Sequence, residues 1–102
     1  MSTLHTVNKS PFTHTTLASC LEVCGHSDGI LLLEDGVFAA LSSSPAAAQL
    51  SAAIARGLKI YALSGDVKAR GLNTKLAPDI RITDYNGFVQ LSTEYRCVQS
   101  WY

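Results

Sequence analysis

The segment Ile30-Leu31-Leu32-Leu33-Glu34-Asp35-Gly36 constrains this chain more than any other. An unbroken apolar run stops at an acidic pair and a glycine, and helix-forming Val37-Phe38-Ala39-Ala40-Leu41 follows. A continuous rather than alternating run suits a strand buried on both faces, the usual state of a parallel sheet covered by helices. In such sheets the turn after the strand's carboxyl end is where ligands and partners tend to meet the protein.

The rest of the chain supplies further strands at compatible spacing. Thr3–Val7 reads as a strand closed by Asn8-Lys9-Ser10-Pro11, and a helix follows over 15–24 with Leu17, Leu21 and Cys24 on one face. The second strand is Gly29–Glu34, with a short helix near Val37–Leu41. Ser44-Pro45 predicts an N-cap and first helical residue for an alanine-rich helix ending at Gly57. Lys59–Leu63 is the third strand, and Ser64 or Asp66 starts a single turn ending at Arg70-Gly71. A short strand, Ile80–Ile82, precedes a helix capped by Asp84 and bearing Phe88, Leu91 and Tyr95. The tail to Trp101-Tyr102 is read as an edge strand or as a segment lying on a partner. Strands and helices alternating this way imply right-handed crossovers and a small three-layer α/β sandwich. Its sheet is mostly parallel, with four to five strands, in a flavodoxin-like arrangement. Residues 1–102 are expected to form one domain.

Composition narrows the partners. Apolar residues make up 47% of the 102, but Asp, Glu, Lys and Arg only 16%, against roughly 25% in a typical soluble domain. With formal net charge zero, little keeps this surface apart from other proteins, so a subunit partly covered by partners is expected. No basic stripe exists to replace phosphate counterions, which argues against direct nucleic-acid binding. No apolar run approaches a membrane span, and the N-terminus lacks the pattern of a secretory signal. The odd set Cys20, Cys24 and Cys97 has no disulfide-framework spacing. A cytoplasmic protein with reduced thiols is the expectation.

Cys20 and Cys24 stand four apart on one expected helix. At 100° per residue Cys24 falls inside the apolar stripe and Cys20 at its margin, which makes Cys20 the better placed to reach solvent. A reactive Cys20 would need a nearby cation, for which Lys9, His5 and His14 are candidates, because it lies too far into the helix for strong help from the dipole. A zinc site from Cys20, Cys24 and His26 matches no paired-knuckle spacing and lacks a fourth ligand, so no metal is expected. A disulfide between the helix cysteines is disfavoured by nearly parallel Cβ directions. Gly25-His26-Ser27-Asp28-Gly29 precedes a strand and reads as a turn rather than a phosphate cradle. His5 reads as a satisfied interior or edge histidine, and no organic cofactor is expected.

Several pieces together carry a resemblance. They are Leu4-His5-Thr6-Val7-Asn8-Lys9-Ser10-Pro11-Phe12, then Leu31-Leu32-Leu33-Glu34-Asp35-Gly36-Val37 with Ala39-Ala40. To these add Tyr61-Ala62-Leu63 with Asp66, Lys68-Ala69-Arg70-Gly71-Leu72, Ile82-Thr83-Asp84-Tyr85 with Phe88-Val89, and the aromatic end after Gln99. In this order and spacing they resemble the DsrH/TusB family over essentially the whole chain, with the closer match to DsrH. The resemblance implies a DsrE-like α/β subunit of a cytoplasmic α2β2γ2 heterohexamer with DsrE-like and DsrF-like subunits. It also implies passage of persulfide sulfur to or from a DsrC/TusE-like carrier. In the DsrH branch this relay serves sulfur oxidation with the reverse dissimilatory sulfite reductase route. In the TusB branch it serves 2-thiolation of the tRNA wobble uridine. Cys20 matches the cysteine characteristic of DsrH-like members, so the resemblance makes it the candidate sulfur carrier. Two other readings stand beside this one: a structural subunit without thiol chemistry, and a free-standing nucleotide binder, against which the absent glycine-rich loop weighs.

Overall fold

The computed structural model describes residues 2–102. Five strands form one wholly parallel sheet: β1 (Thr3–Val7), β2 (Gly29–Leu32), β3 (Lys59–Leu63), β4 (Arg81–Thr83) and β5 (Cys97–Trp101), in the order β4-β3-β2-β1-β5. Four helices connect them: α1 (Thr16–Val23), α2 (Ala47–Ala55), α3 (Ser64–Ala69) and α4 (Tyr85–Glu94), with a 3-10 helix over Glu34–Ala40. The α/β sandwich expected from the sequence is the fold observed.

Strand order and alternation assign the layers. From β1 to β4 the chain steps in one direction across the sheet, and the return to β5 runs the other way. Right-handed crossovers therefore put α1 and α2 on one face and α4 on the opposite face. His5 and Val7 align with Ile30 and Leu32, and these with Ile60 and Ala62. On this face Val7, Ile30, Leu32, Ile60 and Ala62 join Leu17, Cys20, Leu50 and Ala53 in the main apolar cluster. Leu4, Thr6, Gly29, Leu31 and Tyr61 point the other way, by the period of two.

β2 is buried at every position, as the continuous apolar run requires. It stops at Leu32, two residues earlier than the sequence suggested: Leu33 stays extended, its N–H donating to the Val7 carbonyl at 3.1 Å, but Glu34 enters the left-handed region at φ 49°. Gly36 lies against the Val7 carbonyl, where a Cβ would strike rigid backbone. That close approach explains the glycine. The acidic pair is also tied down: the Glu34 N–H donates to Asp66 at 2.7 Å, and Arg70 bonds Asp35 at 2.9 Å. Asp66, expected only to start α3, thus binds the turn after β2 to the turn after β3.

Other boundaries move slightly. α1 ends at Val23 rather than Cys24, whose backbone is extended. α2 starts at Ala47, and Ser44 Oγ accepts from the Ala46 N–H at 3.0 Å just ahead of it. Asp84 caps α4 as expected, accepting from the Gly87 N–H at 2.8 Å. β4 falls one residue later than expected, and the tail is an edge strand paired with β1.

Candidate functional site

The chemistry-bearing side chains gather near the amino ends of β1 and β2, under α1. α1 touches both β1 and β5, so a residue at the margin of its apolar stripe is covered by the sheet edge. That covering overturns the exposure expected of Cys20. Cys20 is fully buried and Cys24 is 9% exposed. Cys24, which the sequence places inside the apolar stripe, is buried in the core as expected, although the helix has already ended there. Their sulfurs lie 3.9 Å apart in hydrogen-bond contact, and both cysteines are free.

The pair shares one favourable ionisation. The Cys20 thiol donates to Cys24, and that bond together with burial pushes the Cys20 pKa far up. The same hydrogen bond pulls the Cys24 pKa down, against burial and the nearby Asp28 charge. Cys24 is the member that ionises first.

His5 completes the group. It is buried in β1, and one ligand atom each from His5, Cys20 and Cys24 lie within 4.8 Å of one another. Trp101 Nε1–H donates to His5 Nδ1 at 3.0 Å. An indole N–H can only donate, so Nδ1 carries the lone pair and Nε2 the proton. Nε2 then donates to Asp28 Oδ2 at 3.0 Å. Asp28 also accepts from the Thr3 and Gly25 backbone N–H groups, each at 3.0 Å. Partial burial raises the Asp28 pKa, but these three donors outweigh it and hold the carboxyl below the usual range.

His5 is thus the satisfied interior histidine expected from the sequence. Of the three cation candidates for Cys20, it is the one brought to the cysteines. His14 is exposed and bonded to Thr13, and His26, proposed for zinc, is exposed on the turn before β2. Asp28 and Trp101 were missed as site residues. Asp28 looked like a turn residue, and nothing local links Trp101 to a histidine 96 positions away. The parallel pairing of β5 with β1 makes that link.

A polar hollow opens beside this cluster, lined by Ser2, Asp28, Lys59, Tyr61, Glu94 and Tyr95. Burial, and then the neighbouring Tyr61, push the Tyr95 phenol up to about 12. Lys59 offers a positive charge there, but Asp28 and Glu94 oppose it for an anion. No helix among the described residues is long and apolar enough to cross a membrane.

A small, wholly parallel five-stranded α/β fold with a buried thiol pair defines the class. Residues 9–98 match the family model described as DsrH like protein. The chain is 41% identical over 98 residues to protein TusB of Sodalis glossinidius (strain morsitans), covering 96% of this chain and 99% of that protein. It is 37% identical to protein TusB of Escherichia coli (strain K12), with the same coverage. Among solved structures, the ychN protein from E. coli superposes with a TM-score of 0.81 at 16% identity, over 98% of this chain and 99% of that one. A protein of unknown function from Methanobacterium thermoautotrophicum, MTH1491, gives 0.73 at 16% identity, over 96% and 97%. At such identities the structures show the fold alone. The chain belongs to the DsrH/TusB family.

Proposed function

We propose that this chain, as one DsrE/DsrH-like domain, is a TusB-type subunit of a cytoplasmic sulfur relay serving 2-thiolation of the tRNA wobble uridine. The observation that carries the reading is near-full-length similarity to proteins named TusB. It favours tRNA thiolation over the sulfur-oxidation branch. Cys20 favours the other branch, because a cysteine there is what the sequence resemblance associates with DsrH. The partners are DsrE-like and DsrF-like subunits in an α2β2γ2 assembly, and a DsrC/TusE-like carrier exchanges sulfur with the complex.

The surface supports a life among partners. Ile82, Tyr85 and Val89, on β4 and α4, are all about half exposed or more, as are Val98 on β5 and Tyr102. Apolar and aromatic groups with few charges are the composition of an interface centre. Aspartate in place of Val89 is expected to prevent co-purification with the unlike subunits while leaving the chain folded.

The burial of Cys20 supports a subunit that shapes the assembly. In this reading Cys20 takes sulfur only when α1 lifts from β1 and β5. A persulfide donor offered to the isolated chain should place a sulfur atom on exposed Cys97 and leave Cys20 bare. Labelling of Cys20 at the rate of a free cysteine would refute this. For the branch, the chain is expressed with its own DsrE-like and DsrF-like subunits in E. coli lacking the corresponding relay. Restored 2-thiouridine in bulk tRNA is the expected result. Assembly of the complex without any thiolation would return the reading to sulfur oxidation.

A further inference from the structure

The donor set under α1 has a chemistry that sulfur relay does not use. We infer that His5, Cys20 and Cys24 form a site for one soft, thiophilic cation, and that the donors select copper(I). Three ligand atoms lie within 4.8 Å of one another, close enough to share one ion, and all three residues are buried. Thiolate sulfur with imidazole nitrogen is a donor set for soft or borderline metals, not for magnesium or calcium. The spacing argument overlooked the site because its nitrogen comes from β1, 15 positions upstream of Cys20, and not from His26 beside the cysteines.

The coordination number decides between the soft metals. Zinc takes four ligands, the fourth from the protein or from water, and burial of all three residues leaves water little access here. The carboxylate beside His5 is Asp28, but both its oxygens are engaged: Oδ1 by the Thr3 N–H, and Oδ2 by the Gly25 N–H and by His5. Three ligands remain, an arrangement that copper(I) adopts readily. Each thiol that ligates gives its proton to solvent. The copper stays in the +1 state throughout, so no oxidant or reductant is needed.

His5 can join without changing its proton. Its Nδ1 lone pair faces the Trp101 N–H, and Nε2–H faces Asp28. The ion takes Nδ1 and displaces the indole N–H. The Asp28 bond then orients the ligating ring from behind, the usual arrangement behind a metal-bound histidine. Because Trp101 is the single tryptophan, this exchange has its own optical signature.

The test is an anaerobic titration of the reduced full-length chain with copper(I) held by a chromophoric chelator, alongside a Cys97→Ser chain. Both are expected to withdraw one ion per chain, with a thiolate-to-copper absorption band and a change in Trp101 fluorescence. Asp28→Asn is expected to weaken binding by about 10–100-fold. X-ray absorption of the loaded chain should show two sulfurs and one nitrogen. The inference is overturned if the wild-type chain leaves all copper with the chelator, or if binding disappears in Cys97→Ser. It is equally overturned if zinc(II) is taken while copper(I) is refused, or if copper binds with sulfur ligands only and unchanged fluorescence. Because the wild-type and Cys97→Ser chains decide the outcome, misfolding of a variant altered at the site cannot obscure it.

Discussion

The two faces of the sheet are built to different standards. Under α1 and α2, Val7, Ile30, Leu32, Ile60 and Ala62 meet Leu17, Cys20, Leu50 and Ala53, and every one of these is buried. Under α4, Leu4 and Leu31 are also sealed, yet α4 contributes no fully buried residue. Phe88 and Leu91 are half-buried beneath it while Tyr85 and Val89 face outward. The first face is a finished core holding the thiol cluster. The second is a lighter cover whose outer side is apolar enough to meet another protein. On the proposed function, assembly falls to the second face and stability to the first, and substitutions should separate them.

Leu17→Ala, in the finished face, should show the largest effect, about 2–5 kcal/mol lost in urea unfolding. Phe88→Ala, in the lighter face, should lose about 1 kcal/mol, the share of a half-buried ring. Equal losses would break the comparison. Glycine substitutions sharpen it next. Gly36→Ala drives a methyl into the Val7 backbone, which cannot move aside, and should cost about 1–3 kcal/mol. Gly29→Ala meets only the Tyr95 ring on the α4 side. That ring can swing, so the loss should be about 1 kcal/mol or less.

The latch at the amino end gives a pH signature. Asp28 titrates lower in the folded than in the unfolded chain, so its stabilising contribution is complete above the ordinary aspartate pKa near 3.9. It is lost as pH falls through the lower folded value, because the unfolded chain then binds more protons. Acid unfolding of Asp28→Asn should lack this component. If the wild type and Asp28→Asn lose stability in parallel, the Asp28–His5 latch is not stabilising. On the other side, Tyr95 titrates up to about 12 instead of 10. The folded chain then holds the extra proton, so stability should decline between those values, and Tyr95→Phe should flatten the decline. The smallest effect on the chain alone is expected for Val89→Asp, within about 0.5 kcal/mol. A larger loss would mean that α4 carries more of the core than its exposure indicates.

Much of this was legible in the residues. The apolar run of β2 announced a strand buried on both faces, and Asp84 announced the cap of α4. The spacing of Phe88, Leu91 and Tyr95 gave its inner side. These signals are local, since each depends on backbone preferences and periodicity within a few positions. The exposure of Cys20 was misread for a reason of the same kind. A helical projection shows which way a side chain points but not how wide the surface beneath it is, and β5 extends that surface past the margin of α1.

Sequence alone determined the alternation of strands and helices, the parallel sheet and the family, because hydrophobic period and motif order survive without coordinates. Tertiary structure alone decided that His5, Asp28 and Trp101 form one hydrogen-bonded line and that both sulfurs lie beside it. Pairing β5 with β1 brings the last strand beside the first. Contacts of that range leave no mark on local pattern, since they exist only once the edge strand has docked.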